Sequence, residues 1–234
     1  MKCLRVLVTA GATQVPIDQV RAISNIFRGR TGTLIAQYFA NKFHDVTLIT
    51  SNVGILTHSG RRNIRRVVEY RTFDDLLEAM RQEVCDPIPY DIVIHSAAVS
   101  DYKLSEVWVK DKDGQLLPID NSGKISSDNS DLYLHLIQTE KIINLIRQPW
   151  SFEGLLVKFK LQVGLSDKEL LAIARKSRRV SEADFIVANC LEWSNRRVFI
   201  INSHGRAIEV SRDDLASELY SQICKKLRAK KQGA

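Results

Sequence analysis

The chain has 234 residues, 44% of them hydrophobic, which is enough for a substantial core and leads us to expect one domain over 1–234. No run of ~18 apolar residues occurs, so no transmembrane helix is expected. Four cysteines with no C-x-x-C pair, and no His-x-x-x-His spacing, argue against zinc or a disulfide framework and for the reduced thiols of a cytoplasmic protein. The formal charge is +7, and five cations (Lys225, Lys226, Arg228, Lys230 and Lys231) crowd the C-terminus, so 225–234 reads as a solvated, frayed basic tail. A nucleic-acid arm is disfavoured, because neither interleaved aromatics nor a recognisable binding module accompanies the charge.

Met1 to Leu4 run directly into a strand pattern and lack the charged and apolar regions of a signal peptide. Leu4 to Ala10 form a short apolar run ending at Gly11, as in a buried parallel strand. From Thr31 to Phe43, Leu34, Ile35, Tyr38, Phe39 and Phe43 recur at helical spacing and predict one buried face. Strands follow at 46–49 and 64–70, and Thr72 opens a helix to about Val84 with Asp74 and Asp75 near its N-terminus. Asp91 to Ala97 read as another buried strand, and the alternation argues for a parallel sheet with right-handed crossovers.

Residues 104–130 are polar, with Gly114, Pro118 and Gly123, and read as a flap or excursion. A half-buried strand is expected near 132–136, a helix at 142–146 and a strand at 155–159. Ser166-Asp167-Lys168-Glu169 has the form of a capping box and opens a helix. A strand at 185–188, a hairpin around Ser203-His204-Gly205 and a final helix from near Ser211 complete the chain. The fold class expected is α/β, an open, doubly wound, mostly parallel, Rossmann-like sheet with helices on both faces.

Ligands of such sheets bind beyond the carboxyl ends of the strands. Two ends are polar and lined with small residues. In Thr9-Ala10-Gly11-Ala12-Thr13, Gly11 allows close backbone approach, and the hydroxyls of Thr9 and Thr13 are candidate donors. In Ser96 to Tyr102, Ala97 and Ala98 leave room for a flat group, and Asp101 is a candidate acceptor or a turn cap. A dinucleotide site is opposed by the absence of G-x-G-x-x-G and of an acidic residue at Thr50-Ser51-Asn52; a P-loop sequence is absent as well.

The segments "VLVTAGATQVPIDQVRAISN", "IVIHSAAVSDY", "GKISS", "VKFKL", "IARKS" and "DFIVAN", in that order over roughly residues 4–223, resemble phosphopantothenate–cysteine ligase (phosphopantothenoylcysteine synthetase). The I-S-S form after Lys124 looks most like the stand-alone bacterial type. The resemblance implies a homodimer with 4′-phosphopantothenate, L-cysteine and a nucleoside triphosphate (CTP or ATP, with Mg2+) as substrates, reacting through an acyl-nucleotide. It also implies that Asn25 contacts that intermediate, that Lys124 lies on a flap closing over the nucleotide, and that Ala97, Ala98, Asp101 and Phe159 bind the nucleotide; Gly11 and Thr13 of the first strand end join them as binding candidates on the loop chemistry above. The chain departs from the family pattern at Phe27, Arg28, Glu140, Lys158, Ser181 and Cys190. Two other readings remain open: an NAD(P)-dependent oxidoreductase on a related sheet, and a non-catalytic nucleotide-binding relative suggested by Arg28, Arg30 and the basic tail.

Overall fold

The computed structural model of the chain describes residues 3–56 and 63–232. Its centre is an eight-stranded sheet. Six strands are parallel: β1 (Arg5–Ala10), β4 (Asp45–Thr50), β5 (Arg66–Glu69), β6 (Ile92–His95), β10 (Leu155–Gln162) and β11 (Phe185–Cys190). Two antiparallel strands, β12 (Arg197–Asn202) and β13 (Ala207–Ser211), extend one edge, giving the order β13-β12-β11-β10-β6-β1-β4-β5. The order reverses direction at β1, so the ends of β1 and β6 flank the crevice in which open α/β sheets bind ligands.

The apolar runs are continuous because both faces are covered. Val6, Val8, Ile92, Ile94 and Val157 point to one layer, which is closed by α1 (Arg30–Asn41) and α5 (Leu215–Gln232). Leu7, Val93 and Leu156 point to the other, covered by α2 (Phe73–Val84) and α3 (Ile142–Leu145). Further along that second face, Leu170 and Ala174 of α4 (Asp167–Val180) pack on Ile186 and Ala188. Helices α2 and α4 start in the capping boxes Thr72/Asp75 and Ser166/Glu169.

Two expectations need correction, and two features went unforeseen. The buried stripe of α1 is Ile35, Ala36, Phe39 and Ala40; Leu34 is 50% and Phe43 90% exposed. Phe43 lies beyond the helix with φ 62°, so the helical period no longer governs it. The excursion at 104–130 carries two strands: β7 (Tyr102–Lys110) pairs with both β8 (Leu116–Ile119) and β9 (Tyr133–Gln138) in a three-stranded antiparallel sheet apart from the main one. Its polar composition hid it, because within β7 only Val107 is fully buried. Residues 225–232 are not frayed but continue α5, and Lys226 is tied to Asp184 (2.6 Å) and Ser203 (3.0 Å). Finally, β2 (Gln14–Pro16) and β3 (Ala22–Ser24) form a small hairpin just before Asn25 that the sequence reading did not anticipate.

Candidate active site

The two small-residue loops form one hydrogen-bonded unit. Thr9 ends inside β1, and its Oγ1 accepts from the amides of Ser96 and Ala97 at 3.1 Å each. Its own proton therefore goes to His95 Nδ1, 3.0 Å away, which holds the imidazole neutral with its proton on Nε2. Burial, reinforced by nearby Lys158, pushes His95 down to about 4. Thr13 Oγ1 accepts from Ser100 N at 2.8 Å, Thr13 N donates to Ala98 O at 3.2 Å, and Ala98 N donates to Gly11 O at 2.8 Å. Both threonine side chains are fully buried. The expectation that their hydroxyls face a ligand is thus corrected: they lock the β1 and β6 ends together.

Gly11 has φ +94°, and a Cβ there would stand 2.1 Å from Ser51 Oγ, which already accepts from Ala12 N at 2.9 Å. Tyr70 OH donates to Ala10 O at 2.9 Å from the far side. Helix α1 arrives over this base. Gly29 (φ +85°) and Gly32 are required by contact, since a Cβ would come 2.4 Å from Gly11 N and 2.3 Å from Ser96 Oγ, respectively. No side chain caps α1 and no acid lies in its first turn, so its leading amides and the positive end of its dipole face the cleft unmet.

Asn25 lies on the exposed side of this arrangement, and its Nδ2 donates to Ala98 O at 3.3 Å. Gly11, Thr13, Ala98 and Asn25 are therefore brought together, with half-buried Ala97 beside them. Asp101 is exposed and ion-paired with Lys141. Thr139 N donates to Asp101 O at 2.9 Å, which fastens the β9–α3 connection to this loop. Phe159 is half-buried against the layer under α1 and α5, two strands from Gly11.

Lys124 is exposed, in the loop between β8 and β9. Both of its neighbours are pinned to the β2–β3 hairpin: Gln19 N donates to Gly123 O at 3.2 Å, and Ile125 N donates to Asp18 Oδ2 at 3.1 Å. Asp18 is buried and also accepts from the amides of Val20 and Arg21 and from the Arg21 guanidinium. That guanidinium, aided by the amides, holds the Asp18 carboxyl well below the usual carboxylate range. It also reaches Ile125 O at 2.9 Å. This clamp was missed in the sequence; its only local signal is an acid and an arginine three residues apart.

Lys158 does not face the cleft. It stands opposite His95 in register, is buried, and donates to Ser177 O at 3.1 Å near the end of α4. Burial, with Lys160 and Lys141 nearby, lowers it to about 8. Among the described residues, no three His, Cys, Asp or Glu side chains gather as a metal site.

Comparison with known proteins bears on the family and the fold. The family described as "DNA/pantothenate metabolism flavoprotein C-terminal domain" matches residues 1–227. The coenzyme A biosynthesis bifunctional protein CoaBC of Thermococcus kodakarensis is 33% identical over 231 residues, covering 95% of this chain and 51% of that protein. The chain thus spans about half the length of the curated relatives it matches. The crystal structure of the DNA/pantothenate metabolism flavoprotein from Streptococcus pneumoniae superposes with a TM-score of 0.81 at 30% identity, covering 96% of this chain and 100% of that one. The C-terminal domain of a CoaBC protein shares the fold with a TM-score of 0.71 at 23% identity, over 98% of both chains.

Proposed function

The chain belongs to the DNA/pantothenate metabolism flavoprotein C-terminal domain family, and we propose that it ligates 4′-phosphopantothenate to L-cysteine in coenzyme A biosynthesis at the expense of a nucleoside triphosphate. The 33%-identical relative from Thermococcus kodakarensis is a coenzyme A biosynthesis protein, which supports the pathway. The observation that carries the site is Asn25, held against the Ala98 carbonyl beside the uncapped start of α1.

In the first half-reaction the pantothenate carboxylate attacks the α-phosphate, and pyrophosphate leaves. In the second, the cysteine amine attacks the acyl carbon of the acyl-nucleotide; the C–N bond forms and the nucleoside monophosphate departs. No protein nucleophile is needed. The protein must bring two anions together and stabilise charge at phosphorus and then at the acyl oxygen. The amides opening α1 suit the phosphates. Asn25 spends one N–H on Ala98 O and keeps a second donor for the acyl oxygen. Lys124, on its clamped loop, supplies a mobile cation, and Mg2+ enters with the triphosphate. The Ala97–Ala98 stretch leaves a flat slot for the base.

A homodimer is part of this reading. Tyr102, Leu116, Leu117, Leu136 and Ile137 are exposed on the β8–β7–β9 sheet, and a second copy would cover them.

The test is pyrophosphate release with phosphopantothenate and either CTP or ATP, run side by side, followed by cysteine-dependent release of the monophosphate. Absence of both from folded protein with either nucleotide would overturn the proposal.

A further inference from the structure

Helices α1 and α5 both begin at the carboxyl edge of the sheet, on the same face, because β13 runs antiparallel to β12 and so ends where β1 ends. Between them lies a cavity of about 580 Å³ that runs along α1 from Arg30 to Asn41; Leu34, Ile35 and Leu215 line its apolar part, and Arg30, Thr31, Arg212 and Asp213 line the end at the helix starts. Arg212 is partly buried, and its guanidinium donates to Thr31 Oγ1. Among the described residues neither Arg212 nor Arg30 has a carboxylate partner, and Asp213, on the same wall, pairs with neither.

This arrangement is unfavourable as it stands. Burial, and then the charge of Arg30, lower the Arg212 pKa, the mark of a guanidinium taken from water without compensation. The start of α1 lacks both a side-chain cap and an acid. The start of α5 is by contrast already served: Ser211 Oγ accepts from Asp214 N at 3.1 Å and donates to Asp214 Oδ2 at 2.7 Å. Two guanidiniums without a carboxylate partner and an uncapped helix start meet at one end of this cavity. The group that satisfies all of them is a multiply charged oxyanion with several acceptors.

We infer that this cavity is a phosphate-binding subsite of the cleft and that Arg212, delivered from the β13–α5 junction, is its principal ligand. The inference rests on the ligase reading for the identity of the phosphate, which either the triphosphate tail of the nucleotide or the phosphate ester of phosphopantothenate could provide. The side-by-side position of the cavity and the opening turn of α1 favours the triphosphate tail. Arg212 is then a substrate-binding residue. A subsite reached by the C-terminal helix also ties nucleotide binding to the packing of α5 on α1.

The test uses the full chain and calorimetric titration with three probes: inorganic tripolyphosphate, 4′-phosphopantothenate and cytidine. Replacing Arg212 by Gln is expected to weaken tripolyphosphate binding about tenfold, the loss of a charged hydrogen bond, while leaving cytidine binding unchanged. Arg212→Lys, which keeps the charge and loses the fork, is expected to fall between the two. Loss confined to phosphopantothenate supports the subsite and assigns it to the ester. Tripolyphosphate and phosphopantothenate binding both within about twofold of the parent would overturn it. A lowered Tm with unchanged binding of both would overturn it too, showing Arg212 to be only a strut to Thr31. Should Arg212→Gln not fold, Arg30→Gln replaces it; that side chain is exposed, and the same loss is expected with the fold unaffected. Failure of ligation with intact, Arg212-dependent tripolyphosphate binding would count against the ligase reading alone. Normal ligation by Arg212→Gln at an unchanged nucleotide KM would count against Arg212 alone.

Discussion

Ser51 shows how one side chain decides between two nucleotide chemistries. In a dinucleotide fold the end of the second strand carries an acid for the ribose hydroxyls. Here Ser51 Oγ accepts from Ala12 N and fills the space beneath Gly11, so the end of β4 is occupied by the protein's own loop. The oxidoreductase reading loses its ribose acceptor there. Asn25, by contrast, is exposed and has a free donor. Asn25→Ala is therefore expected to lower turnover about a hundredfold, within the usual range for deleting a donor to a developing oxyanion, with Tm unchanged. Steady-state kinetics beside a thermal melt checks this; undiminished turnover would remove Asn25 from the site.

At the scale of elements, the β2–β3 hairpin is the link between Asn25 and the Lys124 loop. Asp18 carries that link through Arg21 and Ile125. Two substitutions separate position from charge. Lys124→Ala is expected to reduce turnover strongly while nucleotide affinity stays within about threefold, if the ammonium acts in the transition state. Asp18→Ala leaves the Ile125 and Arg21 amides without an acceptor, so it is expected to lower Tm, by about 1–3 kcal/mol of lost stability, as well as turnover. Equal loss of affinity and turnover in Lys124→Ala would assign the lysine to binding alone. The three-stranded sheet itself is nearly all surface, which is why its strands carry polar residues where a central strand would not.

The whole molecule carries a pH signature at its centre. His95 and Lys158 face each other across β6 and β10 on the same side of the sheet, and both titrate below their ordinary values. Between pH 6.5 and about 4 the unfolded chain protonates His95 while the folded one resists, so stability falls as pH drops through that window. Between about 8 and 10.5 the unfolded chain holds the Lys158 proton and the folded one releases it, so this group adds stability as pH rises. Lys158→Met should raise stability at pH 7 by about 1–3 kcal/mol and remove the alkaline rise. Ser177 O is not orphaned by the change, because Ser181 N and Oγ also donate to it. Denaturant melts across pH check both signs. A Lys158→Met variant less stable than its parent at pH 7 would show that the ammonium is a net asset there.

The α/β alternation, the Ser166 capping box, the helix start at Thr72 and the two small-residue strand ends were legible in the sequence because each rests on local chemistry. Apolar runs answer to burial on two faces, Thr72/Asp75 and Ser166/Glu169 to helix starts, and Gly11 to a turn with positive φ. Asn25 and Lys124 came from ordered motifs rather than from any pattern of burial. What stayed hidden depends on partners distant in the chain. Thr9 and Thr13 look like donors to a ligand until Ser96, Ala97 and Ser100, 87 or 88 residues away, bring their amides to them. Lys226 looks like part of a loose tail until Asp184 meets it, and Arg212 looks like a surface charge until α5 is laid beside Thr31. The sequence by itself determined which segments could be buried and where helices and turns begin, since those free energies are summed over near neighbours. Only the tertiary structure decided which polar groups are spent on the fold and which are left for a substrate, because a hydrogen bond is allotted by distance in space.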